Sequence, residues 1–166
     1  MAKLDQQQNN LSRIEGKYLM FSLNGEEYGI GILKVKEIIG IMPVTTIPQT
    51  PDFVKGVFNL RGKVIPVIDL KVCFGMPSGD YNDRTAIIVT ELKTETQLHT
   101  MGMVVDSVSE VKPIKAGEIG APPAFGVSVA VGCILGMAKS DGKVRILLNI
   151  DKVLKNEETA SLDQAA

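Results

Sequence analysis

The chain has 166 residues, which is enough for one ordinary domain or for two small halves that share a core. Its 18 basic and 19 acidic residues leave a net charge of −1, and aromatic residues make up only 5% of the chain. A phosphate-binding surface and a row of stacking rings are both disfavoured by these totals, so nucleic acid is not an expected partner.

The first predicted strands follow a polar N-terminal segment. Residues 1–16 include a run rich in Gln and Asn and lack the apolar core of a signal peptide, so we expect a flexible tail. From Tyr18 onward the side chains alternate with the period of a β-strand. Asn24-Gly25 then favours the tight turn of a hairpin, and the alternation resumes at Tyr28.

Later segments continue the strand pattern. The run VIPVIDL at 64–70 is apolar on both faces, which predicts a strand buried between two layers. Pro66 cannot donate a ladder hydrogen bond, so we expect a bulge or a sheet edge there. Residues 144–150 alternate again, and only IDKVLKNEETASL at 150–162 has helical spacing. Residues 161–166 are expected to form a flexible C-terminus.

The most informative feature is an internal repeat. YGIGILKVKEI at 28–38 matches MGMVVDSVSEV at 101–111, and GKVIPVIDL at 62–70 resembles GKVRILLNID at 142–151. The pattern predicts a duplicated unit of about five short strands. Each unit alone would bury little apolar surface, so two copies packed together make the sounder fold. Closing each sheet into a barrel would also remove exposed edges.

One uncharged stretch, residues 119–138, is long enough to span a bilayer. Two prolines and several glycines interrupt it, so we predict a loop followed by a buried strand rather than a membrane helix. Cys73 and Cys133 have no metal-binding spacing and are expected to be reduced core thiols of a cytoplasmic protein.

Residues that could support catalysis are few. The single histidine, His99, lies in a predicted strand and is expected at the surface. Asp80, Asn82 and Asp83 lack the glycine and the bidentate glutamate of a calcium loop, so a solvated linker is the better interpretation. The short Gly29-x-Gly31 pattern is better explained by strand packing than by dinucleotide binding. We predict no enzyme activity, no cofactor and no metal.

Two charged residues stand in markedly apolar segments, Glu37 in VKEII and Arg61 in VFNLRGKVI. If both were partly buried they would have to pair, because an isolated buried charge is very costly. Glu110 repeats Glu37 in the second half, but no arginine repeats Arg61. The pair could merely hold two strands together, or it could lie within a binding surface. Both interpretations remain open at this point.

The segments at 28–38 and 47–70 resemble the CheW-type coupling proteins of bacterial chemotaxis. The long and specific part of the resemblance is the run GVFNLRGKVIPVIDL at 56–70. It implies a mainly β fold of two five-stranded SH3-like β-barrel subdomains around a shared hydrophobic core, with a short C-terminal helix.

The resemblance also implies the extent of the domain. A single CheW-like domain would cover residues 17–160, built from two intertwined halves at about 17–76 and 84–150. Residues 77–83 would be the linker between the halves.

The role implied by the resemblance is that of an adaptor without activity of its own. Proteins of this family bridge the cytoplasmic tip of a chemoreceptor coiled coil to the regulatory domain of the histidine kinase CheA. The chain is therefore expected in the cytoplasm, recruited to membrane receptor arrays without inserting into the membrane.

Carried over position by position, the resemblance assigns two surfaces. The expected receptor-binding residues are Val35, Glu37, Ile38, Gly56, Asn59 and Arg61. The expected kinase-binding residues are Ile41, Met42 and Val44, with Phe125 in the second half as the counterpart of a ring-forming contact that can involve other copies of the protein.

These assignments are consistent with simple physical chemistry. A groove lined by Val35 and Ile38 could receive the apolar ridges of a helix pair. Gly56 would let a backbone approach closely, and Phe125 would serve as an aromatic anchor.

Two alternatives predict different surfaces. An SH3- or OB-like barrel that binds another peptide or single-stranded nucleic acid would need a basic face lined by aromatic rings. An enzyme with an unrecognised site would need a polar pocket at His99 or at residues 80–83. The same fold also occurs in CheA itself and in CheV, but no ATP-binding domain precedes residue 17 and no receiver domain follows residue 150, so a free-standing coupling protein is expected.

Overall fold

The computed structural model describes residues 15–77, 79–93, 96–120 and 133–153. Within them the chain forms short β-strands and two single-turn α-helices. The strands are β1 (Gly16–Leu23), β2 (Glu26–Gly31), β3 (Val35–Gly40), β4 (Val54–Leu60), β5 (Lys63–Asp69), β6 (Ala86–Lys93), β7 (Leu98–Val105), β8 (Ser107–Ile114), β9 (Ile119–Gly120), β10 (Ile134–Ser140) and β11 (Lys143–Leu148). The helices are α1 (Leu70–Cys73) and α2 (Ile150–Val153), and 3-10 turns cover Ile32–Lys34 and Ala116–Glu118.

The strands form two sheets, and each sheet combines strands from both sequence repeats. The six-stranded sheet has the order β8-β1-β2-β11-β10-β9, and the five-stranded sheet has the order β3-β6-β7-β5-β4. The first hairpin of each repeat therefore lies in the sheet that holds the rest of the other repeat. The exchange is made by two parallel pairings, β2 with β11 and β5 with β7.

Both sheets curl toward closure in the same way. The chain that leaves β3 returns so that Thr45 pairs with Val57 of β4, and β9, which follows β8, pairs with β10. We call the two units the five-stranded barrel and the six-stranded barrel.

Local chemistry accounts for the tight turns. Asn24-Gly25 has positive φ at both residues, 51° and 83°, as a type I′ hairpin turn requires, so the hairpin prediction is confirmed.

The glycines of the repeat allow close packing inside the barrels. A Cβ on Gly29 would lie 3.1 Å from Leu147, and a Cβ on Gly102 would lie 2.8 Å from Ile87.

A shared core joins the barrels, and each barrel also has its own. The largest buried cluster draws Phe21 and Ile30 from the six-stranded sheet and Ile68 and Ile88 from the five-stranded sheet. A second cluster around Met20 and a third around Phe58, Val67 and Ile87 fill the barrel interiors. The predicted mainly β fold, with two SH3-like subdomains and a shared core, is confirmed.

The strand β5 differs from its sequence prediction at one end. Val64 is 70% exposed, although burial on both faces was expected. The reason is that β5 pairs with β7 only from Val67 onward, so its first residues extend beyond the second neighbour. Pro66 lies just before this point and pairs with β4 alone, which agrees with the predicted edge position. The bulge of this hairpin lies on β4, between Val54 and Gly56.

The polar segment between the halves is anchored by Tyr81. Its hydroxyl donates to Asp69 across 3.0 Å, and the buried Asp69 also accepts from the backbone N–H of Lys71 and so caps α1. Burial and the neighbouring Asp69 carboxylate raise the pKa of Tyr81. The Lys55 ammonium lies 6.0 Å from the centre of the ring.

Several expectations concern segments of which only part is described. The predicted buried strand within 119–138 is confirmed where β10 overlaps it, and the preceding loop lies outside the described residues. The predicted C-terminal helix is present at Ile150–Val153, and its remainder lies outside the described residues, as do residues 1–14 of the expected N-terminal tail and the expected C-terminus at 161–166. Gly16, which was expected in the tail, begins β1. Among the described helices, none is long and apolar enough to cross a membrane. Cys133 is buried and Cys73 is half-buried.

Candidate docking surface

Arg61 and Glu37 form an ion pair between two strands that are not neighbours in the sheet. Arg61 Nη2 donates to Glu37 Oε2 across 3.0 Å, from the β4–β5 turn to β3. The Arg61 side chain is 78% exposed and that of Glu37 is 25% exposed. Of the two charges only Glu37 is partly buried, because the hairpin tip that carries Arg61 projects beyond the barrel. The pairing itself is present.

The backbone of Arg61 is strained for its residue type. It is the first residue of a two-residue turn and has a φ of 52°, a left-handed conformation that costs most non-glycine residues about 1 kcal/mol. The equivalent positions of the other two such turns hold Asn24 and Asp141, residue types that tolerate this conformation. Asn59 supports the turn by accepting from the Gly62 N–H across 2.8 Å. The choice of arginine is therefore not explained by the turn.

A bulge in β3 places the predicted receptor residues on both of its faces. Val35 pairs with Thr90 and Glu37 pairs with Val89, so β3 has one extra residue between these two pairs. Cross-strand partners share a face. Val35 therefore packs toward the shared core, whereas Glu37 lies on the face of Val89, which belongs to the interior of the five-stranded barrel.

Ile38 lies on the outer face of β3 and is exposed, beside its buried partner Ile88. Ile41 and Met42, which follow directly after β3, are exposed as well. Val44 differs from them, because its side chain is half-buried and packs against the interior cluster of the five-stranded barrel. Phe125 lies outside the described residues.

Gly56 is needed for a close approach within the chain itself. It is buried, has a φ of 140°, and a Cβ at this position would overlap the carbonyl oxygen of Thr45. Thr45 exchanges two backbone hydrogen bonds with Val57, of 2.8 and 2.9 Å. The backbone that approaches Gly56 is therefore that of residues 45–46, and the glycine allows this segment to pack closely against β4.

Two exposed apolar residues that are close in the chain to Arg61 and Glu37 were not selected from the sequence. Val64 lies opposite Asn59 on the Arg61 hairpin, and Leu33 is the central residue of the 3-10 turn before β3. The run of apolar residues around Val64 suggested burial instead. The available signal was that Val64 is the second residue after a two-residue turn, because strand ends next to turns can extend beyond the neighbouring strands.

The six-stranded barrel carries an ion pair of opposite polarity at its corresponding turn, although Lys112 lies two residues beyond Glu110, the repeat partner of Glu37. Asp141, in the β10–β11 turn, lies 3.3 Å from Lys112 of β8, and their side chains are 79% and 23% exposed. The exposed member is thus a cation on one barrel and an anion on the other. Valines at matching places, Val64 and Val144, are both exposed.

The geometry does not favour the alternative sites. Asp80, Asn82 and Asp83 are exposed, and Asn82 caps a turn by accepting from the Arg84 N–H across 2.8 Å. His99 is half-buried on β7. Across the described residues, no group of three or more His, Cys, Asp or Glu side chains could hold a metal. The only large exposed aromatic side chain in this part of the chain is Tyr81, which is too little for a nucleic-acid stacking face.

Comparison with known proteins identifies the family. The family model described as a CheW-like domain matches residues 17–158. The chain belongs to the CheW-like family. It is 42% identical over 150 residues to the chemotaxis protein CheW of Klebsiella aerogenes, which covers 90% of this chain and 88% of the relative. It is 29% identical to protein FrzA of Myxococcus xanthus, with 87% and 88% covered.

A solved structure of the family has the same fold. The scaffolding protein TtCheW from Thermoanaerobacter tengcongensis superposes with a TM-score of 0.76 at 36% sequence identity, covering 87% of this chain and 95% of that protein. Arg61, Glu37, Ile38, Ile41 and Met42 form the candidate docking surface, which runs along β3 from the Arg61–Glu37 pair near its start to Ile41 and Met42 just after its end.

Proposed function

We propose that this chain is a non-catalytic adaptor that couples chemoreceptors to a CheA-type histidine kinase in bacterial chemotaxis. Membership of the CheW-like family supports this role, as do a close relative that is a chemotaxis protein and a structural neighbour that is a scaffolding protein. The adaptor works in the cytoplasm at membrane receptor arrays. The observation that carries the proposal is the exposed Arg61, held at a strained hairpin tip and paired with Glu37.

The receptor surface consists of contact residues and supporting residues. Arg61, Glu37 and Ile38 contact the receptor, because their side chains reach the surface or its rim. An arginine with several unused N–H groups suits carboxylate and carbonyl acceptors on a helical partner. Gly56 and Asn59 shape the surface through the Thr45 bridge and the hairpin turn.

Val35 belongs to the same surface as a supporting residue. Its half-buried side chain packs against the shared core, so it sets the position of β3.

The kinase surface follows directly along the chain. Ile41 and Met42 are exposed aliphatic residues suited to a small apolar contact with the regulatory domain of the kinase, and Val44 anchors their segment to the barrel interior. Phe125, in the second half of the sequence, is assigned by the family resemblance to a further contact with the kinase or with other copies of this chain.

The proposal is tested by reconstituting the complex from purified parts. The full chain is mixed with a soluble cytoplasmic fragment of a chemoreceptor and with CheA, and the co-sedimenting complex and the kinase activity are measured. We expect a ternary complex in which receptor and kinase associate only when the adaptor is present. Binding of neither protein to a folded adaptor would overturn the proposal.

A further inference from the structure

Asp151 of α2 connects the six-stranded barrel to two neighbouring elements of the five-stranded barrel. Its Oδ2 lies 2.7 Å from the ammonium of Lys34, and its Oδ1 accepts from the backbone N–H of Lys93 across 3.0 Å. Its side chain is only 25% exposed, and its contact with Lys34 is partly buried, so solvent competes less for this ion pair than for a fully exposed one.

The two elements that Asp151 holds are the ones that set the register of β3. Lys34 is the last residue of the 3-10 turn and directly precedes β3, while Lys93 is the last residue of β6. Because β3 and β6 are antiparallel, the start of β3 and the end of β6 lie at the same end of the sheet. The bulge that turns Glu37 toward Arg61 lies within the next three residues of β3.

The other barrel has a second clamp of the same design. Asp106, in the link between β7 and β8, lies 2.8 Å from the ammonium of Lys71 in α1 and accepts from the backbone N–H of Asn24 across 2.8 Å. Each aspartate thus binds the ammonium of one lysine and the backbone N–H of one hairpin residue. In both cases the contacts lie where the chain connects the two barrels. Only the Asp151 clamp acts on β3.

We infer that Asp151 is a positioning residue for the docking surface, acting through Lys34 and Lys93 on the register of β3. It keeps Glu37 opposite Arg61 without touching the partner. This inference rests on the proposed function for its binding consequence, whereas its structural consequence can be measured on the chain alone.

The first experiment uses the full chain without any partner. Hydrogen exchange of the β3 amides at residues 37–39 is compared between the wild type, Asp151→Ala and the matched control Asp106→Ala. We expect Asp151→Ala to accelerate exchange at these positions about tenfold or more while Asp106→Ala leaves them unchanged. Equal acceleration by both variants, or by neither, would overturn the inference.

The second experiment measures affinity for a soluble chemoreceptor fragment. We expect Asp151→Ala to weaken binding about tenfold and Asp106→Ala to bind as the wild type does. In combination with Arg61→Ala, Asp151→Ala should cause no further loss, because both substitutions disable the same pair. Additive losses would contradict action through Arg61.

Two further variants keep the test decisive. Asp151→Asn retains an acceptor for the Lys93 N–H but loses the charge, and Lys34→Met removes only the cation. Both replace Asp151→Ala if that variant does not fold, and both should give intermediate losses. If Arg61→Ala binds the fragment normally, the proposed receptor surface is wrong, while the exchange experiment still decides the positioning role.

Discussion

The guanidinium of Arg61 reaches across 3.0 Å to the carboxylate of Glu37, although their strands β4 and β3 are at opposite edges of the five-stranded sheet. The sheet curls until its edges meet, so the pair spans the seam. On the other barrel the turn residue Asp141 also pairs with an edge strand, through Lys112 of β8, with reversed charge. One scaffold therefore presents an exposed cation on one barrel and an exposed anion on the other.

Replacing Arg61 separates stability from docking. Arg61→Asn places a residue suited to φ of 52° in the turn, which offsets the loss of an exposed ion pair worth only a few tenths of a kcal/mol. We expect the free energy of unfolding to stay within about 1 kcal/mol of the wild type or to rise. Binding to a chemoreceptor fragment should weaken at least tenfold, as measured by titration calorimetry.

The matched control is Asp141→Asn, which changes the equivalent turn of the other barrel. It should leave both stability and receptor binding nearly unchanged. Similar losses of receptor binding in the two variants would show that the Arg61 surface has no special role.

Gly56→Ala should destabilise the protein strongly. Its Cβ would overlap the Thr45 carbonyl, and the φ of 140° is poorly accessible to alanine, so we expect a loss of about 3 kcal/mol or more in urea unfolding. Gly142→Ala, at a turn with open space around the glycine, is the control and should cost about 1 kcal/mol. A Gly56→Ala protein as stable as the wild type would mean that the Thr45 bridge does not constrain this position.

The kinase surface is tested by charges placed along the segment after β3. Ile41→Asp and Met42→Asp are expected to weaken CheA binding about tenfold while leaving receptor binding and stability close to wild type, because both side chains are exposed. Val44→Asp should instead lower stability by about 2 kcal/mol, since its side chain packs into the barrel interior. Equal losses of receptor and kinase binding in Ile41→Asp would argue against separate surfaces.

Tyr81 makes the protein sensitive to alkaline pH. Its pKa is raised in the folded state by burial and by Asp69, so the folded chain holds the phenolic proton more tightly than the unfolded chain. The associated stability is present below the ordinary value of 10.0 and is lost as the pH rises above it. Tyr81→Phe should therefore reduce the loss of stability between pH 10 and 11, as measured by urea midpoints.

Tyr81→Phe should remove only part of the loss of stability at alkaline pH, because burial also raises the pKa of Tyr18 to about 12. A Tyr81→Phe protein with an unchanged alkaline slope would show that the hydrogen bond to Asp69 contributes little. At neutral pH the same variant should lose about 1 kcal/mol, since Asp69 is fully buried and loses one donor.

Much of the candidate site could be located from the sequence, but its geometry could not. Glu37 and Arg61 stood out as charges in apolar segments, and they do pair. Their segments did not show that Arg61 projects into solvent or that the bulge puts Val35 and Glu37 on opposite faces of β3. Both facts depend on where the neighbouring strands end and on where a bulge shifts their register. Pairing of β3 with β6 is decided by the whole sheet, and not by the local run VKEII.

By itself, the sequence determined the strand pattern, the Asn24-Gly25 turn, the duplication and the family. Alternation of side chains and the φ preference of Asn24-Gly25 are properties of a few adjacent residues, so they can be read without a fold. Only the tertiary structure decided that the repeats exchange their first hairpins, because parallel pairing joins segments far apart in the chain. The same is true of the contact between Lys34 and Asp151, which are separated by 117 positions. Such contacts depend on the shape of the closed barrels, and no short stretch of residues encodes that shape.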